Sequence, residues 1–68
     1  MKADVRYDPK KRTWCVELDD REARLAAKKA QLPGHVLDGK EVVYPMTPGD
    51  EQEAIRIADN IRKQRIAT

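Results

Sequence analysis

Apolar and polar residues alternate strictly in two stretches near the start of the chain. Ala3, Val5 and Tyr7 alternate with Asp4, Arg6 and Asp8, and Trp14, Val16 and Leu18 alternate with Thr13, Cys15 and Glu17. A period of two is the signature of a β-strand with one buried face. The polar run Pro9-Lys10-Lys11-Arg12 lies between them, so residues 3–18 are predicted to form a β-hairpin. A four-residue loop sets the register: Asp8 opposite Thr13, Tyr7 opposite Trp14, Arg6 opposite Cys15, Val5 opposite Val16, Asp4 opposite Glu17 and Ala3 opposite Leu18. One face then carries Ala3, Val5, Tyr7, Trp14, Val16 and Leu18 and is expected to be buried. Asp4 opposite Glu17 is a like-charge pair and counts against this register.

The period then changes from two to that of a helix. Ala23, Ala26, Ala27 and Ala30 form a stripe over residues 20–31, with Leu25 and Leu32 beside it. Asp19 is the expected N-cap, with Glu22 three residues on, and Pro33-Gly34 ends the helix. An alanine stripe permits close approach but buries little area per residue. Asp38-Gly39 is a two-residue hairpin signal. It joins a short strand over His35 to Leu37 with a better one over Glu41 to Tyr44, which Pro45 ends. Residues 48–65 read as the main helix, with Thr47 as N-cap, Pro48 at the first position and Asp50 completing a capping box. Its apolar stripe is Ala54, Ile57, Ala58 and Ile61, widened by Ile55. Glu51 and Glu53 sit at its positive start and Arg62, Lys63 and Arg65 at its negative end.

The order β-β-α-β-β-α predicts one α+β domain over residues 1–68. Its small antiparallel sheet has four strands, or three if residues 35–37 stay outside it, and both helices pack on one face. The expected core is Val5, Tyr7, Trp14, Val16, Leu18, Leu25, Ala26, Val42, Tyr44, Ile57, Ala58 and Ile61.

Size and composition narrow the chemistry. A 68-residue chain buries only about 60% of its unfolded surface, so extra burial is valuable. Cys15 is the single cysteine, which excludes an internal disulfide, and together with His35, the single histidine, it cannot supply four metal ligands. No metal or cofactor is expected, and a homodimer is the open route to more burial. The lone thiol suits a reducing compartment. Nothing at the start of the chain reads as a signal peptide and no apolar run approaches membrane-spanning length. The expected location is the cytoplasm, with no membrane contact. Charged residues make up 38% of the chain but nearly cancel, at a net +2.

No catalytic residue is predicted. The chain has no serine, which excludes a serine triad. Cys15 falls mid-strand, where a partly covered thiol is expected, and His35 is expected in a loop. Helix capping accounts for Asp50, Glu51 and Glu53. Gly34, Gly39 and Gly49 form no phosphate-binding pattern. What remains is two basic groups. Lys10, Lys11 and Arg12 stand at the hairpin tip, with Arg6, Tyr7 and Trp14 close by; Arg56, Arg62, Lys63 and Arg65 lie along the last helix. A basic loop beside aromatic rings can hold a phosphate backbone or stack a base. The stretch from Gly39-Lys40 through Tyr44 and Thr47 to Glu53-Ala54 resembles the small sheet-plus-helix DNA-binding domain at the start of phage-type tyrosine recombinases. That resemblance covers under half the chain and implies DNA contact. The leading expectation is a small non-enzymatic accessory module of the phage or plasmid kind, acting through a protein partner, with nucleic-acid binding as the alternative.

Overall fold

The computed structural model describes residues 2–46 and 51–64. Strands β1 (Ala3–Asp8) and β2 (Thr13–Leu18) are followed by α1 (Arg21–Lys29), β3 (His35–Leu37), β4 (Lys40–Val43) and α2 (Glu51–Lys63). The four strands form one antiparallel sheet in the order β1-β2-β4-β3. The first hairpin has the predicted register at all six pairs, from Ala3 opposite Leu18 to Asp8 opposite Thr13. The second hairpin turns at Asp38-Gly39, where both φ angles are positive, at 53° and 79°. This is the left-handed pair of a type I′ turn, and glycine supplies it without a Cβ penalty.

Both helices lie on one face of the sheet. Ala3, Val16, Leu18 and Val43 point toward them and pack with Ala23, Ala26 and Ala27 of α1 and Ala54, Ala58 and Ile61 of α2. Six of these ten buried residues are alanine, counting Ala3, so the layers sit close and each contact removes little area from water.

Four expectations are corrected. In β4 Val42 is buried as expected, but it is Val43, not Val42 or Tyr44, that faces the helices. The pairing of Val16 with Val43 and of Glu17 with Val42 puts Val42 and Tyr44 on the opposite face, because successive strand residues alternate. Leu25 is 40% exposed, since it lies about 200° around α1 from Ala23. Tyr7 is 44% exposed, whereas Trp14 beside it is half-buried and packs against the core as expected. The N-cap of α1 is Asp20, whose carboxylate accepts from the Ala23 amide at 2.8 Å. Asp19 instead extends the hairpin, its amide donating to the Lys2 carbonyl at 2.9 Å.

Helix α1 also ends earlier than predicted. Gln31 takes φ 60°, its amide donates to Lys28 and the Leu32 amide to Ala27, both at 3.0 Å. These two bonds are the Schellman pattern, with glutamine where glycine is usual. Thr47, Pro48 and Asp50, the predicted start of α2, lie outside the described residues.

Candidate functional site: the hairpin tip, the open face and the β1 edge

The face of the sheet away from the helices carries Arg6, Asp8, Thr13, Cys15, Glu17, Lys40, Val42 and Tyr44. Its charges are organised around Glu17. The Arg6 guanidinium donates to Glu17 at 3.0 Å and to Asp38 at 2.6 Å. The Lys40 ammonium lies 3.0 Å from Glu17 and 3.6 Å from Asp19. Glu17 therefore turns to two cations, while Asp4 across the hairpin stays exposed, which removes the like-charge objection to the register. The hydrogen bond to Glu17 is the main cause holding both Arg6 and Lys40 above their ordinary pKa. Long side chains spread over a sheet cover what lies beneath them, and Cys15 and Val42 are both 0% exposed. The Cys15 thiol is thus fully covered, more than the partly covered group expected from its place in the strand, and that burial pushes its pKa up.

The hairpin tip is built on Asp8. Its carboxylate accepts the Lys10 amide at 3.0 Å and the Tyr44 hydroxyl at 2.8 Å. Tyr44 is the first cause of a lowered Asp8 pKa, and the Lys10 and Lys11 amides add to it. The Tyr44 hydroxyl moves the other way, pushed up to about 12, first by burial and then by the adjoining carboxylate. Arg12 closes the loop at φ 51°, in the left-handed region that a non-glycine residue seldom occupies. The Lys11 ammonium rests 4.3 Å from the centre of the Tyr44 ring, a cation–π distance. His35 meets the same ring edge-on at 5.2 Å. It does so as the first residue of β3, which bears out the short strand over His35 to Leu37 and corrects the placement of His35 in a loop. A shallow cleft of about 310 Å³ opens between Lys11, Thr13, His35, Tyr44 and Pro45.

The structure separates the two predicted basic groups. The Arg62 guanidinium donates to the Ala3 carbonyl and lies 3.3 Å from Asp59, at the end of β1 away from the tip. Five residue steps of about 3.3 Å put that end roughly 17 Å from Asp8. Arg56 pairs with Glu53 at 2.8 Å, Lys63 is exposed in the last turn of α2, and Arg65 lies outside the described residues. Among the described residues no salt bridge engages Lys10, Lys11 or Arg12, whereas Arg6, Lys40, Arg56 and Arg62 each have a carboxylate. The aromatic partner of the tip is also different. Tyr7 and Trp14 meet at 5.4 Å on the helix side of the sheet, and Tyr44 and His35 take their place beside Lys11. Sequence spacing could not signal that pairing, because β4 reaches the tip only through its contact with β2.

The third feature is the outer edge of β1. Since the Asp19 amide bonds the Lys2 carbonyl, even-numbered residues of β1 point their backbone groups toward β2 and odd-numbered ones point outward. Ala3 is buried and its carbonyl is taken by Arg62. Val5 and Tyr7 present free N–H and C=O groups at the end of the sheet. Exposed Tyr7 flanks them. Ile55, 39% exposed, lies seven residues before Arg62 and so on the same side of α2.

Among the described residues no three His, Cys, Asp or Glu side chains are placed to hold a metal ion, and no helix is long and apolar enough to cross a membrane. The fold and these surfaces define a small α+β domain with one capped and one open sheet face. No protein-family model, no curated protein and no solved structure matches the chain.

Proposed function

We propose that this chain is a non-enzymatic protein-binding module of the cytoplasm that accepts an extended segment of a partner at the free edge of β1. The observation that carries this reading is the unpaired backbone of Val5 and Tyr7 at the end of the sheet. An added strand gains main-chain hydrogen bonds there, and its alternate side chains meet two different surfaces. Those on the helix side meet Val5, Tyr7 and Ile55; those on the open side meet Asp4 and Arg6. The preferred segment alternates apolar and charged residues, and a second copy of β1 has that pattern. The ionisable groups favour binding over catalysis. General acid–base work needs pKa values near neutrality, and Asp8 and Tyr44 are driven apart in opposite directions.

The test uses seven-residue peptides of alternating apolar and charged residues, including this chain's own residues 2–8, against wild type and Val5→Pro. The Val5 amide makes no bond to β2, so proline leaves the hairpin intact while blocking an incoming strand. The expected result is binding by wild type and a loss of about tenfold or more in the variant. Peptides that bind both proteins equally, or none that binds wild type, would overturn the reading.

A further inference from the structure

We propose that the cleft between the hairpin tip and the end of β4 is a nucleotide site. A base takes the place of Lys11 on the Tyr44 ring, and its phosphate is held by Lys10, Lys11 and Arg12. The Tyr44 ring is a fixed platform. Its hydroxyl is tied to Asp8 at 2.8 Å, His35 packs against it in a T-shaped contact at 5.2 Å, and β4 carries it beside the loop. Among the described residues, a long, exposed lysine lies over one ring face at 4.3 Å. A base offers the ring a larger flat partner than an ammonium group does, and stacking of this kind is insensitive to base identity. The displaced Lys11 then lies within reach of the phosphate attached to that base.

Charge at the tip supports the same ligand. Asp8, the carboxylate at the base of the loop, is 1% exposed and already accepts a hydroxyl and backbone amides. The tip therefore shows solvent three consecutive cations, all exposed, and no competing surface carboxylate within the loop. On the open face Arg6 and Lys40 are each paired with acids, so among the described residues that face offers no comparable phosphate surface. The cleft of about 310 Å³ is sized for one base and its sugar. Thr13 and His35 line it, and the exposed His35 imidazole offers a hydrogen-bonding group to a sugar or base edge.

The test titrates the full chain with three probes at low salt: a labelled thymidine oligonucleotide, the same strand without bases, and a mononucleotide. Proton spectra of the tyrosine rings give the second readout. The thymidine strand is expected to bind, with affinity falling steeply as salt rises. It should shift the Tyr44 ring protons and leave those of Tyr7 unmoved. The baseless strand should bind about tenfold or more weaker. Tyr44→Leu should reduce the thymidine strand to the baseless level, Tyr44→Phe should keep the preference, and Lys11→Ala should weaken both strands. Mononucleotide binding that shifts Tyr44 equally would assign the site to free nucleotides, and its absence would assign it to a strand; either keeps the proposal. Equal binding of the baseless strand, an unmoved Tyr44 ring in the bound wild type, or no binding at low salt would overturn it. The ring shift is read on wild type, so the result does not depend on Tyr44→Leu remaining folded.

Discussion

The two faces of the sheet bury side chains equally well by different means. On the helix side, Val43 is 0% exposed under alanines and Ile61. Its neighbour Val42 is also 0% exposed, yet it points to the side that has no helix. There the cover is made of Arg6, Glu17 and Lys40, whose charged ends bond one another, and of Tyr44, whose hydroxyl donates to Asp8. Both described helices lie on the other face. Long polar side chains supply a thin layer here instead, and they remain solvated at their outer ends. The lesson is that an open face in a small domain need not be a bare one.

The comparison is most severely tested at the centre of the helix layer. Ile61→Ala removes the largest fully buried side chain, and alanines around it cannot extend to fill the void. The expected loss is about 2–5 kcal/mol in urea denaturation. The sharper test is the adjacent pair. Val43→Ala and Val42→Ala should each destabilise by about 1.5–3 kcal/mol, since both delete fully buried methyl groups. A Val42→Ala variant as stable as wild type would show that the charged cover leaves Val42 effectively in water.

Smaller effects follow at the ends of elements. Gln31→Gly relieves a left-handed glutamine at the end of α1 and should stabilise the protein by about 1 kcal/mol in the same assay. The open face carries a pH signature that the helix layer lacks. The folded Tyr44 pKa is raised from 10.0 to about 12. Its stabilisation is therefore complete below pH 10 and is lost as pH rises through 12. Asp8 has a lowered folded pKa, so its contribution is present above the ordinary carboxylate value near 4 and is lost as pH falls below it. In thermal melts across pH, Tyr44→Phe should abolish the alkaline loss and flatten the acid one. A variant with the wild-type alkaline slope would remove Tyr44 from the account.

Much of the architecture was legible because it is local. The six-pair register of the first hairpin follows from strict alternation and a four-residue loop, and the second hairpin from Asp38-Gly39. Both depend on residues close in sequence, where chain connectivity leaves few alternatives. Helix placement followed from the stripes of Ala23, Ala26 and Ala27 and of Ala54, Ala58 and Ile61, although Asp20 rather than Asp19 caps the first helix. The basic tip was also visible as three consecutive cations.

What lay beyond the pattern is non-local. Glu41-Val42-Val43-Tyr44 fits a strand with either valine inward, and a shift of one residue exchanges the faces. The choice rests on Val16 meeting Val43 across β2, a contact between segments 27 residues apart. The same choice carries Tyr44 to the open side, ties its hydroxyl to Asp8 and sets its ring under Lys11. Alternation and turn chemistry are written in neighbouring residues, so they specify hairpins and helices directly. Which strand face meets the helices, and which aromatic ring meets the basic loop, depends on how the two hairpins pair with each other once the chain has closed on itself.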